Sequence, residues 1–174
     1  MPFSPLHMGP ALTAKAVSPT AVSLIVYGTS QILIDLQPLA ALTVMPQLRI
    51  HGLSHTFAVA LILGVLAAAI GKYTGQFLLN VFQRKNRERV EISWVKAFGW
   101  GIGGALLHIA MDGLVYEDMQ PFWPFMDYSR PNPMRYLGVS NQTMTTFCVY
   151  TGLAGLLVYG VAAIVKRIST KNRG

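Results

Sequence analysis

Residues 53–71 of the chain read LSHTFAVALILGVLAAAIG, a run that contains no Asp, Glu, Lys or Arg. About 20 apolar residues in a helix span a bilayer, because each residue adds ~1.5 Å and the hydrocarbon is ~30 Å thick. Two more runs without those four residue types occupy 97–111 and 143–165. The sequence therefore predicts an all-α protein with at least three spanning helices.

Residues 20–37, TAVSLIVYGTSQILIDLQ, predict a fourth span that ends at Pro38, although Gln31 and Asp35 lower its hydrophobicity. The segment before it, 8–17, is too short to span, and Ser18-Pro19 interrupts any helix there. We expect a half-helix at 8–17, either re-entrant from outside or lying on the cytoplasmic surface. The predicted fold is one integral membrane domain over 1–174, a multi-pass transmembrane bundle with spans at about 20–37, 53–71, 94–115 and 143–165.

The composition excludes an ordinary soluble domain. The 174 residues are 52% hydrophobic and 12% charged, whereas soluble domains carry about 25% charged residues. No cationic stretch precedes an apolar run between Met1 and Pro19, so we expect no removable signal peptide. Cys148 is the single cysteine, which excludes an internal disulfide and favours a small apolar packing role.

The positive charges indicate an orientation in the membrane. The net charge is +7, with Lys and Arg concentrated in the loop 83–89 (QRKNRER) and the tail 166–174. Cytoplasmic segments collect Lys and Arg, so we expect both segments, and the C-terminus, on the cytoplasmic side of an inner membrane. The loop 116–142 is then external, a structured segment at the headgroup level. The lipid bilayer is the expected partner, the loop 83–89 could dock a cytoplasmic protein, and nucleic-acid binding is not expected.

Histidines and aspartates recur at the predicted outer level of the spans. His51 and His55 are four residues apart, as are His108 and Asp112, so each pair lies on one face if its segment is helical. Imidazoles with carboxylates suit Zn²⁺ or Mn²⁺, and Asp35 offers a further oxygen. An ionisable residue in a span costs roughly 2.5–3.5 kcal/mol on insertion scales, which favours a partner or a function. The alternative is a set of interfacial histidines with no ligand.

The glycine-rich GWGIGG at 99–104 lies inside an apolar run with no preceding strand. That context excludes a dinucleotide-binding loop. We interpret Gly99 and Gly103 as small residues that permit close helix packing, and Gly152, Gly155 and Gly160 in the same way.

Five short motifs together resemble a known family. They are PLHMGP at 5–10, ILIDLQP at 32–38, HGLSHT at 51–56, HIAMDG at 108–113 and PFWPF at 121–125. In this order they resemble the YdjM-like family of bacterial inner-membrane metal-dependent hydrolases, over most of residues 1–125. The resemblance implies a multi-pass protein with a metal site made from His7, Asp35, His51, His55, His108 and Asp112.

The chain departs from the family pattern at two places. Many members have a second acid where this chain has Gln37, and many have an H-R-G-x-x-H stretch where this chain has the shorter HGLSH of 51–55. Either departure could change the number of metal ions or remove activity.

Three functions remain open from the sequence. A metal-dependent hydrolase would use an ion-activated water, with Asp35 as general base if it is not a ligand, to attack a phosphate or acyl ester of a lipid or lipid-linked substrate. A non-catalytic membrane scaffold or regulator would keep the metal for structure. A haem protein, with histidines as axial ligands, fits the neighbouring carboxylates poorly.

Overall fold

The computed structural model describes residues 5–82, 88–127 and 129–171, without the side chains of 166, 167 and 169–171. These ranges contain helices and connecting segments and no strand, which confirms the all-α class. Residues 83–87 of the predicted basic loop and 172–174 of the tail lie outside them. The α-helices are α1 (Met8–Val17), α2 (Leu24–Thr43), α3 (Phe57–Val81), α4 (Trp94–Val115) and α5 (Asn141–Lys171). Short 3₁₀ helices cover Pro5–His7, Leu53–His55 and Pro133–Leu137.

Three helices are long and apolar enough to cross a membrane, namely Phe57–Val81, Trp94–Val115 and the Asn141–Val165 part of α5. A fourth span is not confirmed, because α2 is not among them. The polar side chains of Gln31 and Asp35 lie in the middle of α2 and lower its hydropathy. This helix also differs from the prediction at its end, since it continues through Pro38 to Thr43.

Side chains of the preceding residues fix where α3 and α4 begin. Thr56 is extended, and its hydroxyl accepts a hydrogen bond from the Val59 amide at 3.2 Å. Ser93 caps α4 in the same way through the Lys96 amide. Such caps satisfy amides that have no partner inside the helix. Because of the Thr56 cap, α3 begins at Phe57 and not near residue 53.

Helices α2, α3 and α4 form one packed unit. The backbone of Gly64 in α3 lies against Gly101 and Ile102 of α4, and Gly71 lies against Val26 of α2. Where these helices are in contact, the residue numbers of α3 decrease as those of α2 and α4 increase. Helix α3 is therefore antiparallel to both α2 and α4. Buried apolar side chains fill the space between them: Val26, Ile34, Ala60, Ala68, Ala105 and Ile109.

Helices α1 and α5 form a parallel pair. Gly9 lies against Cys148, and Gly155 lies against Leu12 and Thr13, so residue numbers rise together along the two helices. The first residues of α1, α3 and α5 and the last residues of α2 and α4 consequently share one end of the bundle, which we call the site end. The α1–α2 turn and the residues before α4 lie at the opposite end.

The segment between α4 and α5 is held by hydrogen bonds. The side-chain amide of Asn132 donates to the carbonyls of Gly113 at 2.7 Å and Tyr116 at 2.8 Å. The amide of Phe57 donates to the Pro121 carbonyl at 2.8 Å. These bonds fasten the segment to the ends of α3 and α4, so it closes over the site end.

The packing role expected of Gly99 and Gly103 is wrong. Among the residues that the structure describes, no atom of a neighbouring segment lies within 4 Å of a Cβ built at either residue. Gly101 and Gly104 face the neighbouring helices instead. Residues one or two positions apart point to different sides of a helix, so Gly99 and Gly103 lie on another side. Among the predicted packing glycines of α5, Gly155 contacts α1 closely, whereas Gly160 has no neighbour within 4 Å.

Substituting Val for Gly101 tests this packing. Its side chain would meet the backbone of Gly64 and Ala68, and overpacking of this kind costs about 1–3 kcal/mol. We expect the Gly101→Val protein to unfold at a lower temperature than wild type in detergent micelles. Gly103→Val is the matched control, because it makes the same change two residues away on an open surface. Equal melting temperatures for the two variants would contradict the helix arrangement.

Candidate metal centre

All six predicted ligands meet at the site end. Each is at most 6% exposed. They form three overlapping groups, in each of which one possible ligand atom per residue lies within 4.8 Å of the others. The groups are His7, His108 and Asp112; Asp35, His55 and His108; and His51, His55 and Asp112. These groups could hold a metal ion.

Helix α4 supplies the centre of the cluster. His108 and Asp112 are one turn apart, and His108 Nε2 lies 3.2 Å from Asp112 Oδ2. Because α2 runs beside α4 in the same direction, Asp35 reaches the same level, with Oδ1 3.4 Å from His108 Nε2. The predicted face shared by His108 and Asp112 is therefore present in the structure.

His51 and His55 do not lie on an α-helix, which differs from the expectation for their spacing. His51 is in a turn, and His55 ends the 3₁₀ helix Leu53–His55. Their rings are nevertheless neighbours, with centroids 5.2 Å apart. His55 Nε2 lies 3.6 Å from Asp112 Oδ2 and 3.9 Å from Asp35 Oδ1. A loop, and not a helical face, brings the pair to the cluster.

Gln37 shapes that loop. Its Oε1 accepts a hydrogen bond from the Ser54 amide at 2.8 Å, and its Nε2 donates to the Arg49 carbonyl at 3.3 Å. A Cβ at residue 52 would collide with the Gln37 amide, so a larger residue there would displace the Gln37 side chain from these hydrogen bonds. Gln37, which the sequence marks only as a departure from the resembled pattern, thus supports the histidine loop in this chain.

The half-helix α1 brings a fourth histidine to the cluster. Helix α1 begins at the site end, and His7 Nε2 lies 3.2 Å from Asp112 Oδ1. The Tyr27 hydroxyl donates to the His7 carbonyl at 2.9 Å. His7 therefore joins the other three histidines.

Two histidines and two aspartates of the cluster approach one another closely. His55 Nε2 and His108 Nε2 face Asp35 Oδ1 and Asp112 Oδ2, and the four N–O separations are 3.9, 3.6, 3.4 and 3.2 Å. Ligands at about 2.0–2.2 Å from Zn²⁺ lie about 3.3–3.6 Å apart in a tetrahedron. These N–O separations are comparable, and imidazole and carboxylate donors suit a divalent ion.

Hydrogen bonds outside the cluster orient the histidine rings. His108 Nδ1 donates to Gln31 Oε1 at 2.8 Å, and Gln31 Nε2 donates to the Gly104 carbonyl at 3.0 Å. His51 Nδ1 donates to Asp118, 2.9 Å from either carboxylate oxygen. His55 Nδ1 and the Ser54 hydroxyl hydrogen bond at 2.9 Å. Partners on Nδ1 leave Nε2 of each ring for a ligand, as is usual for metal-binding histidines.

The surroundings of His108 Nε2 favour a positive charge. It is buried, and it has no hydrogen-bond partner among the described residues. Because Nδ1 carries the proton donated to Gln31, Nε2 of the neutral ring has a lone pair, and this lone pair faces two carboxylates. That arrangement is repulsive unless a proton or a metal ion lies between the groups. Nδ1 of His7 is also buried without a hydrogen-bond partner in the described chain.

A small cavity adjoins the cluster. It has a volume of about 20 Å³, and its lining includes His7, Asp112, Tyr116, Asn141 and Thr145. A volume above roughly 10–15 Å³ on this measure accommodates one water molecule. Asp35 is not among the lining residues.

Three supporting residues were not predicted from the sequence: Gln31, Ser54 and Asp118. The polarity of Gln31 inside an apolar segment was a usable signal, because a polar residue at that depth needs a partner. Ser54 and Asp118 carry no such signal, since each is an ordinary polar residue of a connecting segment.

Comparison with known proteins agrees with the motifs. The model of the YdjM inner membrane protein family matches residues 10–172, a range that holds five of the six candidate ligands and begins just after His7. No curated protein and no solved structure gave a significant match. Since the match covers nearly the whole length, the chain belongs to the YdjM inner membrane protein family.

Proposed function

We propose that the chain is a membrane-embedded metal-dependent hydrolase that cleaves a phosphate or acyl ester of a lipid or lipid-linked substrate. One observation carries the proposal: buried imidazole nitrogens of His55 and His108 face the carboxylates of Asp35 and Asp112 at 3.2–3.9 Å. The water-sized cavity beside Asp112 adds the space that a catalytic site needs and a closed structural site lacks.

In this proposal Asp35, His55, His108 and Asp112 hold the ion, which is Zn²⁺ or Mn²⁺. A divalent ion bound by these four residues would act as a Lewis acid and let water ionise near pH 7. Asp112 presents Oδ1 to His7 and Oδ2 to His55 and His108. The same carboxylate can therefore bind an ion and orient His7.

We assign proton acceptance to His7 and a ligand role to Asp35. Asp35 is a general-base candidate only if it does not bind the ion, yet its Oδ1 lies at ligand separations from His55 and His108. His7 lines the cavity and has a buried Nδ1 without a hydrogen-bond partner in the described chain. A general base must lie within hydrogen-bond reach of the water that it deprotonates.

The surroundings of the site support a substrate with a lipid part. Helix α2 continues for eight residues after Asp35, and Leu36, Leu39 and Leu42 on this extension are 40–53% exposed. The following segment exposes Val44 and Met45. Eight helical residues rise about 12 Å, so the site lies well below the end of α2 and beside apolar surface.

We propose that the site end is external and that the C-terminus is cytoplasmic.

The content of bound metal tests the ligand set. We expect His55→Ala/His108→Ala to lose the ion that wild type retains after Zn²⁺ loading and dialysis, because two of the four proposed ligands are gone. Glu117→Gln, an exposed site on the same end of the bundle, is the control and should retain zinc. Mass spectrometry of the elements gives the stoichiometry. Equal zinc in all three proteins would refute the site.

Asp118 tests the orientation of His51. The Asp118 carboxylate holds His51 Nδ1 at 2.9 Å, and the His51 ring contacts the ring of the proposed ligand His55, with centroids 5.2 Å apart. We therefore expect Asp118→Asn to weaken Zn²⁺ binding by about 10-fold, the lower end of what loss of an outer partner usually costs. The measurement is a competition titration with a chromophoric chelator. Asp127→Asn makes the same chemical change on an exposed residue away from the cluster and should leave the affinity unchanged. An unchanged affinity in Asp118→Asn would exclude this role.

His7 tests catalysis separately from metal binding. With zinc-loaded protein in mixed micelles, we expect cleavage of at least one ester in a panel of acyl and phosphate esters of lipids. His7→Gln should keep its zinc and lose about 10²–10⁴-fold in kcat, the usual contribution of a general base. Retained zinc without cleavage of any ester by wild type would favour the alternative, a membrane scaffold or regulator with a structural metal.

A further inference from the structure

A second cavity lies at the end of the bundle opposite the candidate metal centre. Its volume is about 480 Å³, within the range of small-molecule sites. It lies between the α1–α2 turn, the end of α3 and the residues that precede α4. The lining residues that matter here are Lys15, Leu24, Ile25, Leu79, Glu91 and Lys96.

Two ammonium groups lie on its wall. Lys15 Nζ donates to the carbonyls of Val22, at 2.8 Å, and Pro19, and Lys96 Nζ donates to the Thr20 carbonyl at 2.8 Å. Each ammonium has three donors, so these bonds use three of six. Within the part of the chain that the structure describes, neither lysine forms an ion pair. Three N–H donors and unneutralised positive charge remain for an anion.

The two lysines repel each other. Burial and the neighbouring Lys96 lower the pKa of Lys15. An anion bound between the two ammonium groups would offset this repulsion, because it attracts both.

Aromatic residues indicate the depth of the cavity. Trp94, two residues before Lys96, contacts Tyr73 with ring centroids 6.0 Å apart, and both rings are exposed. The Trp100 indole donates to the Ala21 carbonyl at 2.7 Å, in the turn that borders the cavity. Trp and Tyr concentrate where a bilayer meets water, so the lysines lie at the level of lipid phosphates.

The other walls are apolar, with one acid. Leu24, Ile25 and Leu79 offer surface for the first part of an acyl chain, which a free phosphate would not use. Glu91 carries an exposed carboxylate that can accept a hydrogen bond from a headgroup hydroxyl.

We infer that this cavity binds an anionic phospholipid with a hydroxylated headgroup, of the phosphatidylglycerol type. The phosphate lies between Lys15 and Lys96, an acyl chain contacts Leu24, Ile25 and Leu79, and a headgroup hydroxyl donates to Glu91. The site is independent of the proposed hydrolase function, because no candidate metal ligand lines it.

The test titrates delipidated full-length protein in neutral detergent micelles and follows its melting temperature. Phosphatidylglycerol should stabilise wild type in a saturable way, since a ligand that binds only the folded state raises stability. Phosphatidylcholine and inorganic phosphate should produce little change. Each lysine near an anionic lipid surface strengthens binding about fivefold. We therefore expect Lys15→Gln/Lys96→Gln to bind phosphatidylglycerol about 25-fold more weakly.

Two controls separate binding from folding. Arg89→Gln removes one charge from an exposed residue near the same end and should keep wild-type affinity. Lys15→Arg/Lys96→Arg keeps both charges and should retain most of the binding. Equal affinity for phosphatidylglycerol in wild type and Lys15→Gln/Lys96→Gln would overturn the inference. So would equal stabilisation of wild type by phosphatidylcholine or by inorganic phosphate.

Discussion

The close approach of a buried imidazole nitrogen to two carboxylates, which a proton or a metal ion between them must stabilise, is the constraint on which the site end depends. The Gln31 carbonyl oxygen fixes the proton of His108 on Nδ1, so Nε2 faces Asp35 and Asp112 at 3.4 and 3.2 Å with a lone pair. Burial makes such an arrangement costly, because no water screens it. A divalent cation converts the repulsion into coordination. Helices α2 and α4 must run side by side in the same direction for these atoms to meet.

This constraint also accounts for the parts of the bundle that do not span. Helix α1 is too short to cross a bilayer, yet its start places His7 3.2 Å from Asp112. The segment after α4 returns over the site end, where Asp118 holds His51. Polar groups in an apolar environment need partners, and here each of these segments supplies one. The two proposed sites lie at opposite ends of the bundle, so a lipid bound at Lys15 and Lys96 does not compete with a substrate near Asp112.

Much of the fold could be predicted from the sequence, because apolar length alone predicts a spanning helix. The predicted spans 94–115 and 143–165 lie within helices that are long and apolar enough to cross a membrane, and the predicted span 53–71 corresponds to a third such helix, which begins at Phe57. The fourth span is not confirmed, since Gln31 and Asp35 make α2 partly polar. The packing role predicted for Gly99 and Gly103 was also wrong. Which side of a helix packs against other helices depends on where those helices lie, and the composition of the helix itself does not reveal it.

The six candidate ligands lie close together, as expected, but only part of their geometry could be predicted. The spacing of His108 and Asp112 places them on one helical face, as expected. His51 and His55 have the same spacing but lie in a loop. Thr56 caps α3 only after them, and Gln37 holds the backbone of the loop. Asp118 is far from His51 in the chain, and no local pattern could reveal that contact.

X-ray absorption at the zinc edge of zinc-loaded protein tests the central claim most directly, since it reports the atoms around the ion. We predict nitrogen and oxygen neighbours at about 2.0–2.2 Å, with the outer-shell scattering of at least two imidazoles. Replacing His55 and His108 by Ala should remove that imidazole signal. A spectrum with oxygen neighbours alone, identical in wild type and in the double variant, would contradict a metal centre built from these histidines.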